Sequence, residues 1–250
     1  MRLATWNVNS IRARKDRVLA WVDRHRPDVL CMQETKVEDD GFPADAFTAA
    51  GYQLALHGQK GYNGVAIASR LPIEDVQRGL DDQARLLAAT IGGVRVVCAY
   101  FPNGESVESP KYAYKLDWMK RLRAWLDDRG PCARLALCGD FNVMPEDRDC
   151  WSPAAWAGKA LFSEREKAAL REIAAWGLHD AFRKHHDEGG VFSYYDYQGV
   201  ALFKNQGLRI DHVYVTPALF TACTSCDIDR EARKGQHASD HAPVIAVFED

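Results

Sequence analysis

Apolar and polar positions fall into two kinds of block along this chain: short runs of strand length, and longer stretches with helical spacing. Residues 2–8 read as a buried strand, and residues 11–25 follow with Ile11, Val18, Leu19 and Val22 on one helical face. Asp28 to Gln33 is a second apolar strand with Glu34 at its end. Short runs then predict strands over 52–56, 64–69, 85–91 and 94–100, and Gly92-Gly93 marks a hairpin between the last two. Ser109-Pro110, an N-cap followed by proline at the first helical position, opens a helix. Its apolar face is Tyr112, Leu116, Met119, Leu122 and Leu126, and Gly130-Pro131 ends it. Leu135 to Cys138 is a strand that delivers Gly139-Asp140-Phe141-Asn142 at its tip. The capping box Ser163-x-x-Glu166 opens a helix that stops at Trp176-Gly177, and strands are predicted again over 192–196, 208–215 and 243–248.

No Pro/Ser-rich linker, low-complexity run or short repeat interrupts this alternation, so residues 1–250 are expected to form one α/β domain. Two β-meanders flanked by helices predict two packed sheets with helices outside. No run approaches the roughly 20 apolar residues of a membrane span, and the N-terminus lacks signal-peptide architecture, so a cytoplasmic protein is expected. The seven cysteines cannot all pair within the chain. Cys31, Cys98 and Cys138 sit in strand-like runs and read as buried thiols; the lone Cys223-x-x-Cys226 has no zinc-site companion and reads as reduced and structural. His185 and His186 read as a solvated helix end.

The net charge of −3 argues against a protein that grips long nucleic acid through a broad basic field. Nucleic-acid contact must be local and transient, as in an enzyme. One basic stretch stands out: Arg12, Arg14, Lys15, Arg17, Arg24 and Arg26 against only Asp16 and Asp23. It fits a solvated helix face equally well.

Polar residues cluster directly after predicted strands: Asn7 and Asn9, Glu34, Asp140 and Asn142, Asp211, and Asp240-His241. Asn7 or Asn142 alone would read as a turn or a cap. Together they make an oxygen-rich set with one histidine, which suits magnesium or manganese better than zinc or copper.

The motifs that carry these residues resemble those of the exonuclease III family of apurinic/apyrimidinic endonucleases. They are Trp6-Asn7-Val8-Asn9-Ser10-Ile11-Arg12, Gln33-Glu34-Thr35-Lys36, Gly61-Tyr62-Asn63-Gly64-Val65-Ala66, Tyr100-Phe101-Pro102-Asn103-Gly104, Gly139-Asp140-Phe141-Asn142, Leu208-Arg209-Ile210-Asp211 and Ser239-Asp240-His241-Ala242-Pro243. The resemblance implies a four-layer α/β sandwich of the deoxyribonuclease I type, two packed mixed β-sheets flanked by helices, with the site at one end of the sheets. It implies a Mg2+ cofactor, with Mn2+ as substitute, held chiefly by Glu34 with Asn9 or Asp240; the wider set of ligand candidates adds Asn7, Asp140, Asn142 and His241. It further implies that Asp140 orients and deprotonates the attacking water and that Asn142 and Tyr100 donate to the phosphate. In the same reading Asp211 holds His241 against the scissile phosphate and Asn7 orients the site. Asn103, Tyr194, Leu208 and Ile210 would meet the sugar, and Lys60, Lys111, Lys204 and Arg209 the phosphates.

The implied activity is a DNA-repair phosphodiesterase that cleaves 5′ to abasic sites. Its partner would be double-stranded DNA with abasic sites or blocked 3′ ends, and 3′-to-5′ exonuclease and 3′-end-cleaning activity would accompany incision. Residues 148–159 and 198–205 are placed to set that balance. A monomer is expected. Two alternatives are a phosphatase or phospholipase of the same superfamily, and a non-catalytic nucleic-acid- or protein-binding regulator on the same scaffold. The retained Glu34, Asp140, Asp211, Asp240 and His241 weigh against the regulator.

Overall fold

The computed structural model describes residues 1–197 and 200–249. The chain begins β1 (Arg2–Asn7), α1 (Ile11–His25), β2 (Val29–Gln33), α2 (Ala44–Ala49), β3 (Gln53–His57) and β4 (Val65–Ser69). It continues β5 (Glu74–Arg78), β6 (Leu86–Ile91), β7 (Val94–Tyr100), α3 (Pro110–Arg129) and β8 (Leu135–Asp140). The last part is α4 (Pro153–Trp156), α5 (Glu164–Ala174), β9 (His179–Asp180), β10 (Asp211–Val215), α6 (Pro217–Ala222), β11 (Cys223–Ile228) and β12 (Val244–Phe248). Two six-stranded mixed sheets result, ordered β11-β12-β1-β2-β4-β3 and β5-β6-β7-β8-β10-β9. No helix among the described residues is long and apolar enough to cross a membrane.

Each sheet holds one parallel pair, β1 with β2 and β7 with β8, and the other pairings are antiparallel. Both parallel pairs are joined by a helix, α1 and α3 respectively, because a parallel connection must return along the sheet. These strands are apolar on both faces. Val29 and Cys31 of β2, Val96 and Cys98 of β7 and Cys138 of β8 point into the core between the sheets. Leu30 and Met32 point outward under α1 and α2, and Val97, Ala99 and Leu137 outward under α3 and α5. The layers are therefore helix, sheet, sheet, helix, as the resemblance implied.

The predicted hairpin at Gly92-Gly93 forms, and both glycines have positive φ. Ser109 accepts from the Lys111 amide at the start of α3, and the Ser163–Glu166 capping box closes in both directions at α5. All seven cysteines are free thiols, and Cys132 is the one that is not buried.

Several expectations need correction. The inward face of α3 is Tyr112, Lys115, Trp118, Met119, Leu122 and Leu126. The charged Lys115 takes a core position, while Leu116 is half-buried. Residues 192–196 form no strand: Tyr194 makes only isolated bridges to Leu208 and His241, and the strand expected from 208 begins at Asp211. His186 is not a free helix end. Its ring nitrogens meet Glu188 and Asp227 at 2.8 and 3.0 Å. The edge strands β5 and β11 carry mixed, partly exposed sequence, which hides their period of two.

Candidate active site

The four strands of the two parallel pairs end at the same edge of the sandwich, and each carries a polar residue there. β1 ends at Asn7, β2 hands over to Glu34, β7 ends at Tyr100 and β8 at Asp140. β10 runs antiparallel to β8 with Asp211 paired to Asp140, so its first residue lies at that edge. Asp240-His241 precedes β12, which runs antiparallel to β1. Ligand sites in α/β sheets gather at the carboxyl ends of strands for this topological reason. Gly139 is required just before Asp140, because a Cβ there would lie 1.8 Å from the Ala99 carbonyl oxygen.

Asn7 is buried and its amide donates to Glu34 Oε1 at 2.8 Å and to Asp140 Oδ2 at 2.9 Å, tying the two sheets together across the site. Its own oxygen accepts from the Asn9 amide at 3.0 Å, so Asn7 orients the acids rather than offering an open ligand atom. His241 Nδ1 lies 2.7 Å from Asp211 Oδ2, and its Nε2 lies 3.8 Å from Asp140 Oδ2. The Trp6 indole donates to the His241 carbonyl at 3.0 Å, and Ser239 Oγ accepts from the His241 amide at 3.2 Å. Asp140 Oδ1 accepts from the Asn142 amide at 2.9 Å. Asn103 donates to Asn142 Oδ1 at 3.1 Å, and Asn142 gives one N–H to the Phe101 carbonyl, leaving its second. Asn9, Glu34, Lys36 and Asn142 all have left-handed backbones, with φ between 44° and 54°; such strain concentrates where surrounding structure imposes it.

The charges follow from this burial. Burial pushes the Asp140 carboxyl up, and Asp211 and Glu34 add to it against His241 and Asn7, so that it titrates at about 7. Burial disfavours the His241 cation, but Asp211, Asp140 and Asp240 outweigh it and raise its pKa to about 10. Burial also pushes Glu34 upward, yet hydrogen bonds from Asn7 and Lys36 overcome it and keep the carboxylate below its ordinary value. Tyr100 is driven well up by burial and by the charges of Glu34 and Asp140, and remains a neutral phenol donor.

A cavity of about 510 Å³ opens over these groups. Its polar wall includes Glu34, Tyr100, Asn103, Asp140, Asn142, Asp240 and His241, and its apolar wall Trp156, Leu161, Tyr194 and Ile210. Asp140, Asp211 and His241 bring ligand atoms within 4.8 Å of one another. That closeness is explained by an imidazolium held between two carboxylates, and Asp211 is spent on it. Glu34 Oε2 and Asn9 Oδ1 form a second oxygen-lined position of the kind a hard cation prefers, with Asp240 tied to Asn9 at 3.0 Å. Lys36 already rests its ammonium there, 2.7 Å from Glu34 Oε2 and 2.6 Å from Asn9 Oδ1, so the oxygens present demonstrably suit a positive charge.

The structure brings the catalytic candidates Tyr100, Asp140, Asn142, Asp211 and His241 together at one site. Leu208 is buried behind Tyr194, on a neighbouring cleft rather than on the main cavity. Arg209 is a correction: it is fully buried, paired with Asp149 at 2.6 Å and Asp180 at 2.8 Å, and holds the neutral His212 at 3.0 Å, so it meets no phosphate. Strand alternation could have shown this, since Arg209 lies one residue from the cavity-facing Ile210. Lys60 and Lys204 are exposed and outside the cavity, and Lys111 pairs with Glu105 on its rim at 3.0 Å. Of the segment 198–205, positions 198 and 199 lie outside the described residues. Leu161, with φ 74°, and the buried pair Lys115–Glu166 were missed. Lys115 donates to the Asn142 carbonyl at 2.6 Å and to the Asn103 carbonyl at 3.2 Å, carrying both loops.

The sandwich carries its His–Asp pair, its buried perturbed aspartate and the Lys36-paired Glu34 at one edge, and the relatives it matches make the chain a phosphodiester-hydrolysing nuclease. Residues 4–241 match the Endonuclease/Exonuclease/phosphatase family, and the chain belongs to it. It is 32% identical to exodeoxyribonuclease III of Haemophilus influenzae, over 99% of this chain and all of that one. It is similar to the solved structure of a 3′ phosphatase from Neisseria bound to a product DNA hairpin (TM-score 0.97, 40% identity, covering 100% of this chain and 99% of that one). It is equally similar to an AP endonuclease from Archaeoglobus fulgidus (TM-score 0.97, 40% identity, both chains covered in full).

Proposed function

We propose that this chain is a magnesium-dependent DNA-repair nuclease acting on double-stranded DNA at abasic sites and at blocked 3′ ends. The observation that carries this reading is the position of His241, clamped by Asp211 and 3.8 Å from Asp140, beside Glu34 in one cavity. His241 is protonated at neutral pH and gives the phosphate a fixed cationic donor. Asp140, once ionised, takes the proton of the attacking water. Tyr100 and the free N–H of Asn142 supply neutral donors to the same phosphate. A divalent cation held by Glu34, Asn9 and Asp240 would neutralise phosphate charge and stabilise the departing oxygen. The chain is read as one folding unit that works as a monomer and as a cytoplasmic protein.

Two substrate forms stay in the proposal because relatives at equal identity carry different activities, 3′ phosphatase and AP endonuclease. The apolar wall of Trp156, Leu161, Tyr194 and Ile210 suits a sugar without its base, turned out where no stacking is lost. The deciding experiment sets a duplex with one internal abasic site beside one with a recessed 3′-phosphate, with Mg2+ and with a chelator. Cleavage of at least one, abolished by the chelator and by Asp140→Asn, is expected. Turnover that survives both treatments, or none on either duplex, would remove the proposal.

A further inference from the structure

Lys36 is a charged group against Glu34 that the proposed chemistry does not use. Its amide donates to the Asn63 carbonyl at 2.9 Å and its backbone is left-handed, so the loop, not chance, delivers its side chain inward. The ammonium then caps Glu34 Oε2 at 2.7 Å and Asn9 Oδ1 at 2.6 Å. Asn9 in turn donates to Asp240 Oδ1 at 3.0 Å, so its oxygen is aimed at Lys36 and its nitrogen at the next acid. These are the oxygens on which a divalent cation would depend, and an ammonium and a metal ion cannot both occupy them.

We propose that Lys36 is a built-in competitor for the cation site. In the metal-free protein it neutralises Glu34 and keeps the oxygen set assembled. A divalent cation must displace it, which lowers the metal affinity of the free enzyme. An incoming phosphate gives the displaced ammonium a new partner, so metal and phosphate bind cooperatively, each raising the affinity for the other. The inference rests on the metal-dependent reading above but concerns binding, not turnover.

The test is Mn2+ binding to the substrate-free protein, followed by the magnetic resonance signal of free Mn2+, with thermal melting as a check on folding. Lys36→Met and Lys36→Gln should bind Mn2+ about tenfold tighter than the unaltered protein or more, since a unit charge within a few ångströms is removed. Glu34→Gln should bind much more weakly. Thymidine 5′-monophosphate should tighten Mn2+ binding in the unaltered protein, and much less in Lys36→Met. Equal or weaker Mn2+ binding by both well-folded Lys36 variants overturns the inference while leaving the metal-dependent reading intact. Absence of Mn2+ binding by the unaltered protein, together with metal-independent hydrolysis, overturns that reading and this inference with it.

Discussion

At the level of single residues, Asp140 and His241 do opposite things with one property, burial. Burial makes Asp140 a base that ionises only at about pH 7, whereas the carboxylates around His241 keep it cationic up to about pH 10. The proposed mechanism needs Asp140 unprotonated and His241 protonated. The rate should therefore rise with pH through about 7 and fall through about 10, as macroscopic values of a coupled set. The lower limb should move further down as Mg2+ is raised toward saturation, because a bound cation favours the ionised acid. Asp211→Asn should draw the upper limb to lower pH, since the carboxylate that most raises His241 is gone; an unmoved limb would detach His241 from that titration. Asp140→Asn and His241→Ala should melt like the parent and lose roughly a hundred- to ten-thousandfold in rate. Each of these side chains stood out in the sequence because it sits at or beside a strand end. Arg209 misled for the same reason: a charged residue beside motif residues resembles a phosphate contact until its neighbours Asp149 and Asp180 are known.

Among the elements, α3 shows why the support of the site was hard to read. Its periodicity is clear, yet one of its inward positions is a lysine, made tolerable by Glu166 on α5 and by the Asn142 and Asn103 carbonyls. Both side chains are wholly buried, so removing one partner leaves a bare charge in the core. Lys115→Met should destabilise the fold by about 3–5 kcal/mol and slow turnover by loosening Asn103 and Asn142. Lys115→Met combined with Glu166→Gln should recover part of the lost stability in chemical denaturation, because the neutral amide oxygen can still cap α5. A double variant as unstable as the sum of both single changes would mean that the pair is not coupled. The capping box that fixes Glu166 was legible locally; that its carboxylate also receives Lys115 was not, because the two residues are 51 apart in sequence.

For the whole molecule, the inter-sheet core is built of small and medium side chains that let the sheets approach, with Cys31, Cys98 and Cys138 among them. A thiol reagent should accordingly label one cysteine readily in the native protein, Cys132, and all seven only after unfolding. Rapid native labelling of several thiols would show that the sheets separate. The net charge of −3 has its own consequence. DNA affinity should fall only gently with salt, with a logarithmic slope of about two to four, as expected when few phosphates are gripped. A slope near ten would reveal an extended basic track.

What the sequence by itself determined is the local grammar: apolar runs apolar on both faces, caps at α3 and α5, and polar residues at strand ends. Those are interactions between near neighbours, and their spacing records them. Which polar groups meet was decided only when two sheets packed face to face with both parallel pairs ending at one edge. That step joined Asn7 to Glu34 and Asp140 and His241 to Asp211, brought His241 to 3.8 Å from Asp140, sank Arg209 and Lys115 into the interior, and set Lys36 against Glu34 and Asn9. Contact across a packed interface depends on the position of whole layers, and the protonation of Asp140 and His241 follows from that contact rather than from the residues themselves.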